Sequence, residues 1–368
     1  MFENFWHKKQ KPLPSMIGMG GGATGWVLGG GYSGPLLASG GTTQEYTDPG
    51  PGAKYKSHTF SYPNSDSFEI QNLDNANTFP QANKLDILVV GGGGAGGFTP
   101  ARASGGGGAG GFVTYTKTLT DIATYTITVG QGGQAPDPTW YGNGNMPGKM
   151  SKVAGIDCTP TQSDLIAAGG AGGNGLNAGK EGGSGSGAGG NNSTGGEGNY
   201  WGDSANPQNT GNPLYPAPID STYPGEPFVP QGNDGGGGPD KGSECGSGGG
   251  GAGGVGGDGY RGPPSTFYGG AGGAGVNNDY QTGSNQSYCG GGGGCSYTSG
   301  NGGAAPGPGG AGGVGPPSSM GPNADGEDGI RGGGGGAAYS WPTEIGGAYN
   351  STAGSGGDGV VVIRYRIE

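Results

Sequence analysis

The chain has 368 residues, of which 101 are glycine and 28 proline, about a third of the total, and its formal net charge is −11. Glycine does not fall on every third position, which excludes collagen, and the 16 Lys and Arg residues are spread too thinly for a nucleic-acid footprint. A complement of 18 Tyr, 9 Phe and 5 Trp argues against plain disorder and for a folded chain with an unusual interior.

Residues 1–35 read as a separate arm. FENFWHKKQKPLP mixes aromatic, basic and proline residues, and Trp26, Val27 and Leu28 follow among glycines. An arm this apolar docks either onto a larger partner, through Phe2, Phe5, Trp6 and Trp26, or onto the chain's own domain. The charged start is not followed by an apolar h-region, so it does not read as a signal peptide. No apolar run approaches the length of a membrane span, and no membrane insertion is expected.

Strand patterns fill 55–130. In HTFSYPNSDSFEI, Phe60 and Tyr62 alternate, PNSD supplies a turn, and Phe68 and Ile70 alternate again, which is a hairpin signal. LDILVV (85–90) is apolar on both faces and therefore a buried strand. FVTYTKTL puts Val113, Tyr115 and Leu119 on one face, and TYTITVG puts Tyr125, Ile127 and Val129 on one face against three threonines. This alternation predicts half-buried antiparallel strands.

In KLDILVVGGGGAGGFTP, Gly91, Gly93 and Gly96 fit G-x-G-x-x-G, the dinucleotide-binding fingerprint. The fingerprint needs a helix after the glycines, so that its N-terminal amides face the phosphates. Pro100 and the glycine run 105–111 leave no room for one. GGGGAGG also recurs at 105–111 and 248–254, so it is composition and not a cofactor site. No cofactor is expected.

Beyond 130 the strand signals stop for more than 200 residues and return in GVVVIRYRIE, where Val361, Ile363, Tyr365 and Ile367 share a face. This last strand is expected to join the early ones, making the β-module discontinuous, with 131–357 inserted. Apart from SDLIAA, the insert has no helical periodicity. Glycine segments can form a left-handed helix of three residues per turn, like polyproline II. Without Cβ atoms such helices can lie close and bond laterally, giving a core of backbone. That satisfies the buried peptide groups that side chains elsewhere would shield.

The other residue types sit in the loops of the insert. These carry Trp140 and Tyr141; Tyr200, Trp201, Tyr215, Tyr223 and Phe228; Tyr280 and Tyr288; and Tyr339, Trp341 and Tyr349. Aromatics among Ser, Gly and Asn resemble antibody paratopes in composition. Each aromatic singly reads as a small local core capping the glycine layers; the set reads as a recognition surface. Cys158, Cys245, Cys289 and Cys295 form no zinc spacing, and no metal is expected. They read as free buried thiols, with a Cys289–Cys295 disulfide as the alternative. No catalytic constellation emerges, because His58 lies within an expected strand and GNGNMPGKM lacks the Ser or Thr of a P-loop. Glu226, Asp234, Asp240 and Glu244 leave an acid pair open, but the chain reads as no enzyme.

LDILVVGGGGAGG, GGGGAGGFVTYTKTL, TYTITVGQGGQ and the terminal GDGVVVIRY, taken in order, resemble the glycine-rich domain of bacteriophage tail-fibre and adhesin proteins over about 58–368. In the T-even-type tip adhesins of that family, polyglycine II helices form a sandwich whose loops bind the host. KKQKPLPSMIGMGGGATG is similar to the starts of glycine-rich proteins of marine phages, where it attaches the chain to the particle. The resemblance implies a virion protein made in the host cytoplasm. Its partners would be tail or fibre proteins through the arm, and a bacterial surface glycan or outer-membrane protein through the loops. A homotrimer, usual for fibres, is compatible with it. The rival reading is a structural capsid or tail protein without a specific receptor. The expected fold is all-β: an antiparallel sandwich-like module with strands near 58–130 and 359–367, carrying a large inserted polyglycine II bundle. The expected divisions are an arm (1–35), the β-module (36–130 plus 358–368) and the glycine-rich domain (131–357).

Overall fold

The computed structural model describes residues 34–50, 52–63, 65–74, 81, 83–100, 103–135, 146–157, 163–175, 178–190, 194–196, 198, 231–238, 244–263, 266–296, 302–313, 329–340 and 352–368. The strands are β1 (Leu37–Ser39), β2 (Thr42–Thr47), β3 (Lys54–Ser61), β4 (Asp66–Asn72), β5 (Lys84–Val90), β6 (Phe98–Pro100), β7 (Phe112–Thr118), β8 (Thr124–Thr128), β9 (Ser151–Ala154), β10 (Leu165–Ala167), β11 (Tyr260–Gly262), β12 (Thr266–Tyr268), β13 (Val276–Asn278), β14 (Gln286–Tyr288), β15 (Ala338–Ser340) and β16 (Val360–Arg366). Two five-stranded antiparallel sheets, β1-β4-β8-β9-β10 and β2-β3-β16-β5-β7, contribute to one apolar core. The fold is all-β and sandwich-like.

The alternation read from the sequence sets the faces. Leu85, Ile87 and Val89 of β5 and Val361, Ile363 and Tyr365 of β16 join Phe68, Ile70, Tyr125, Ile127 and Val129 in this core. The intervening residues Leu88, Val90, Val360 and Val362 pack on the other side, against Ala109, Tyr288 and Cys289. That second face is why LDILVV is apolar throughout. The last strand lies in the centre of its sheet, paired with β3 on one side and β5 on the other.

Two expectations are corrected. β3 and β4 are not a hairpin: β3 pairs with β2 and β16, and β4 with β1 and β8. Between Ser61 and Asp66 the chain passes from one sheet to the other, and Phe60 and Phe68 meet edge to face, centroids 6.4 Å apart. Nor is 131–357 free of strands. β9 and β10 extend the first sheet, with Val153 and Leu165 buried in its core, so LIA is strand and not helix.

Past Val90, β5 runs into a lattice of glycine segments. Amides of 91, 94 and 97 donate to carbonyls of 111, 108 and 105; those of 92 and 95 donate to 149 and 146; those of 93 and 96 donate to 357 and 354. The carbonyls of 92, 93, 94 and 95 accept from 170, 133, 335 and 173. Every third residue therefore addresses the same neighbouring segment, which is a hydrogen-bond period of three. Segment 105–111 repeats the rule, with 105, 108 and 111 donating to 174, 171 and 168. The lattice thus reaches beyond 131–357 to include 91–97 and 105–111. The amides of Gly91, Gly93 and Gly96, which a dinucleotide fingerprint would offer to phosphate, are spent on Gly111, Gly357 and Gly354.

Candidate functional site

Two of the loop aromatics, Tyr280 and Tyr288, have described side chains, and both turn inward. The segment 276–289 folds as the β13–β14 hairpin and docks on the outer face of the sheet containing β16. Tyr288 is fully buried beside Leu88 and Val90, donating its hydroxyl to Gln281 Oε1 at 3.0 Å. Burial pushes that hydroxyl up to about 12. Tyr288 is therefore a packing residue, which corrects its reading as a contact residue; its loop-like neighbours in sequence hid its burial.

Tyr280 belongs to a cluster around Arg364. The guanidinium lies between two rings, 4.0 Å from the Tyr280 centroid and 4.5 Å from that of Tyr55. Its Nε donates to Asp86 Oδ2 at 3.2 Å, and its Nη1 donates to the Tyr46 hydroxyl at 3.1 Å and to Asp279 Oδ1 at 3.3 Å. The Tyr46 hydroxyl donates onward to the Tyr280 carbonyl at 2.8 Å, and Ser57 Oγ donates to the Gln281 carbonyl at 2.8 Å. Burial raises Tyr46 to about 12. For Arg364, burial acts to lower the pKa, but the Tyr46 hydrogen bond and the Asp279 and Asp86 charges outweigh it and the net direction is up. The cluster rivets the 279–283 turn to the sheet.

The remaining candidates, Trp140, Tyr141, Tyr200, Trp201, Tyr215, Tyr223, Phe228, Trp341 and Tyr349, lie outside the described residues, as do Phe2, Phe5, Trp6 and Trp26. Tyr339 lies on β15, which pairs in parallel with β6. The ends of these inserts are described, and they are fixed to the lattice. Ala135 N donates to Ser355 Oγ, and Met146 O accepts from Ala95 N. Gly198 N donates to Asp234 Oδ1 at 2.7 Å. Across the 199–230 insert, buried Gln231 accepts from Ala168 N and donates to Ile166 O through its side chain. Gly354 N donates to Gly336 O on the far side of 341–351.

His58, the one histidine described, is buried in β3 with Nδ1 2.7 Å from Gly40 O, and burial lowers its pKa. Among the described residues no group of three His, Cys, Asp or Glu is placed to hold a metal, and no helix is long and apolar enough to cross a membrane. Cys245, Cys289 and Cys295 are buried. Burial raises Cys245 to about 12 and Cys295 to about 11, and pushes Cys289 higher still.

Two surface features escaped the sequence reading. On the β11–β12 hairpin, Tyr260 (55% exposed) stacks on Tyr268 at 4.7 Å, and Arg261 lies over Phe267 on the opposite face. The alternation in YRGPPSTFY around its two prolines was the available signal. The second feature is a cleft of about 440 Å³ at the shoulder between sheet and lattice, whose lining includes Ser61, Tyr62, Ile330, Arg331 and Asp358. Tyr62 and Ile330 are 37% and 56% exposed there. Its one sequence signal is Arg331, a basic residue between the acidic stretch ADGED and the glycine run 332–336.

Residues 72–366 match the family described as Glycine-rich domain. No curated protein and no solved structure matches the chain.

Proposed function

The chain belongs to the Glycine-rich domain family, and from that premise we propose that it is a bacteriophage tail-fibre or tip adhesin that binds the host surface through loops held on a polyglycine II scaffold. The period-three hydrogen bonding supports the polyglycine II reading, since that helix has three residues per turn. The observation that carries the adhesin reading is the anchoring of the inserts. Long aromatic and polar segments leave and re-enter a rigid framework at fixed points such as Gly198 and Gln231. Such an arrangement confines variation to loops while the framework stays constant, as binding scaffolds do. The arm 1–35 is assigned to docking on the virion, and the partner to a bacterial surface glycan or outer-membrane protein. Binding rather than catalysis is the proposed activity.

The inward turn of Tyr280 and Tyr288 favours a second reading, a structural virion protein whose loops pack against neighbours. The two are separated by measuring the binding of purified protein to candidate host cells, with 199–230 replaced by a short Gly-Ser linker as control. Gln231 is kept because it holds the strand end at Ala168. Binding by wild type and not by the variant, both folded by circular dichroism, supports the adhesin. Incorporation into particles through 1–35 without cell binding by either protein supports the structural reading.

A further inference from the structure

We propose that the shoulder cleft lined by Tyr62, Ile330, Arg331 and Asp358 is a binding site for a neutral hexopyranose. The inference stands apart from the loop reading and uses none of the inserts.

The argument starts from the backbone. Ile330–Gly333 is a tight turn closed by Gly333 N donating to Ile330 O at 2.8 Å. Both central residues have positive φ, 47° at Arg331 and 73° at Gly332. Turns of this hand take Asn, Asp or Gly at the first central position, because a larger side chain strains the left-handed region. Five glycines follow at 332–336, and the other described non-glycine residues with positive φ are Gln81, Asn83, Asp157 and Cys289. An arginine there is conformationally costly, and such outliers concentrate at ligand sites. The position is held from behind by Cys289 N donating to Arg331 O at 3.1 Å and by Gly332 N donating to Asp358 O at 2.8 Å. Arg331 is exposed and lines the cleft from this turn.

The other residues define the ligand. Arg331 supplies only donors and an ionised Asp358 only acceptors. One Asp358 oxygen is fixed by Gly132 N at 2.8 Å, which sets the carboxylate plane. Vicinal hydroxyls satisfy both groups at once, since each hydroxyl donates and accepts. An anion would satisfy Arg331 but meet the Asp358 charge, on a chain of net charge −11. The exposed Tyr62 ring and the Ile330 side chain offer an apolar surface for the C–H face of a pyranose. Gly356, Gly357 and Gly359 leave part of the wall without side chains, and Ser61 and Gln281 add polar groups to the lining. The cleft volume of about 440 Å³ falls in the range of small-molecule sites.

The test is saturation-transfer NMR titration of the full chain with the methyl pyranosides of glucose, galactose, mannose and glucuronic acid. At least one neutral glycoside is expected to receive saturation. In Arg331→Gly its Kd should weaken by about tenfold or more, the scale of a lost charge-assisted hydrogen bond. The melting temperature of that variant should be no lower than wild type, because glycine relieves the turn. Tyr62→Ala should weaken the same ligand, and replacing 199–230 should leave it unchanged, so failure here and failure of host binding are told apart. The proposal is overturned if no neutral glycoside is seen, if only the glucuronide is, or if Arg331→Gly binds as wild type does.

Discussion

Substituting one interior glycine by alanine tests the backbone-as-core reading directly. A Cβ on Gly292 would lie 2.0 Å from Gly335 O and 2.6 Å from Gly335 C, where real contacts essentially never fall below 3.0 Å. Its φ is not in the left-handed region, so space alone excludes the methyl group. Relief requires the 290–295 and 333–337 segments to part by about 1 Å or more. The two hydrogen bonds that join them, Gly334 N to Gly290 O and Ala337 N to Gly293 O, both 2.9 Å, would then be broken in a buried setting. Each of the two bonds is worth about 0.5–1.5 kcal/mol net, and overpacking costs about 1–3 kcal/mol. Gly292→Ala should therefore lose roughly 2–6 kcal/mol, a large share of a typical total stability of about 5–15 kcal/mol. Gly254 is the matched control. Nothing lies closer than 3.5 Å to a Cβ built there, so Gly254→Ala should be neutral or gain up to about 1 kcal/mol by restricting the unfolded chain. Urea unfolding of the two variants beside wild type, with comparable slopes, gives the comparison. A Gly292→Ala loss below about 1 kcal/mol, or one equal to that of Gly254→Ala, refutes the reasoning.

Removing Arg364 should leave the Asp86 and Asp279 carboxylates without their counter-ion and the 279–283 turn without its clamp; Arg364→Ala is expected to cost about 3 kcal/mol or more, and a loss under about 1 kcal/mol by the same assay counts against the rivet. His58 has a folded-state pKa lowered by burial, so its contribution is intact above the unfolded value near 6.5 and is lost as pH falls from there through the lowered folded value. Wild type should accordingly lose stability as pH falls below about 6.5, and His58→Gln should flatten that slope; an unchanged slope excludes His58 as its source. In a Cys158→Ser variant the native protein should show no rapidly reacting thiol toward an aromatic disulfide reagent at pH 8, a pH well below the raised values of Cys245 and Cys295. Three thiols should react once it is unfolded, and fast native labelling would contradict their burial.

Side-chain alternation revealed which faces are buried but not which strands are neighbours. Tyr125 and Ile127 of β8, with Val129 just past its end, and Val361, Ile363 and Tyr365 of β16 were legible because a half-buried strand must alternate. The same alternation on either side of PNSD suited a hairpin and a sheet-to-sheet corner equally well. The choice depends on Phe60 packing against Phe68 across the core, a long-range contact without local signal. β9 and β10 were hidden because four and three residues with Lys152 among them are too short to show a period. At the candidate site, Tyr288 had the neighbours of a loop aromatic and the position of a core residue; only the docking of its hairpin distinguishes the two. Arg331 was not singled out in the sequence, because its meaning lies in a backbone angle that composition does not carry.

The period of three gives the lattice an arithmetic. Because residues n and n+3 address the same neighbour, as 91, 94 and 97 do with segment 105–111, losing three residues from a segment shortens it by one turn. Every remaining peptide then still faces the partner it had. Losing one or two rotates all that follows onto the wrong neighbours. Deletions and duplications should therefore survive within lattice segments in multiples of three codons, whereas the inserts between anchors such as Gly198 and Gln231 are free to change length by any number. The glycine tracts of such a gene thus keep a reading frame of their own, one set by peptide geometry.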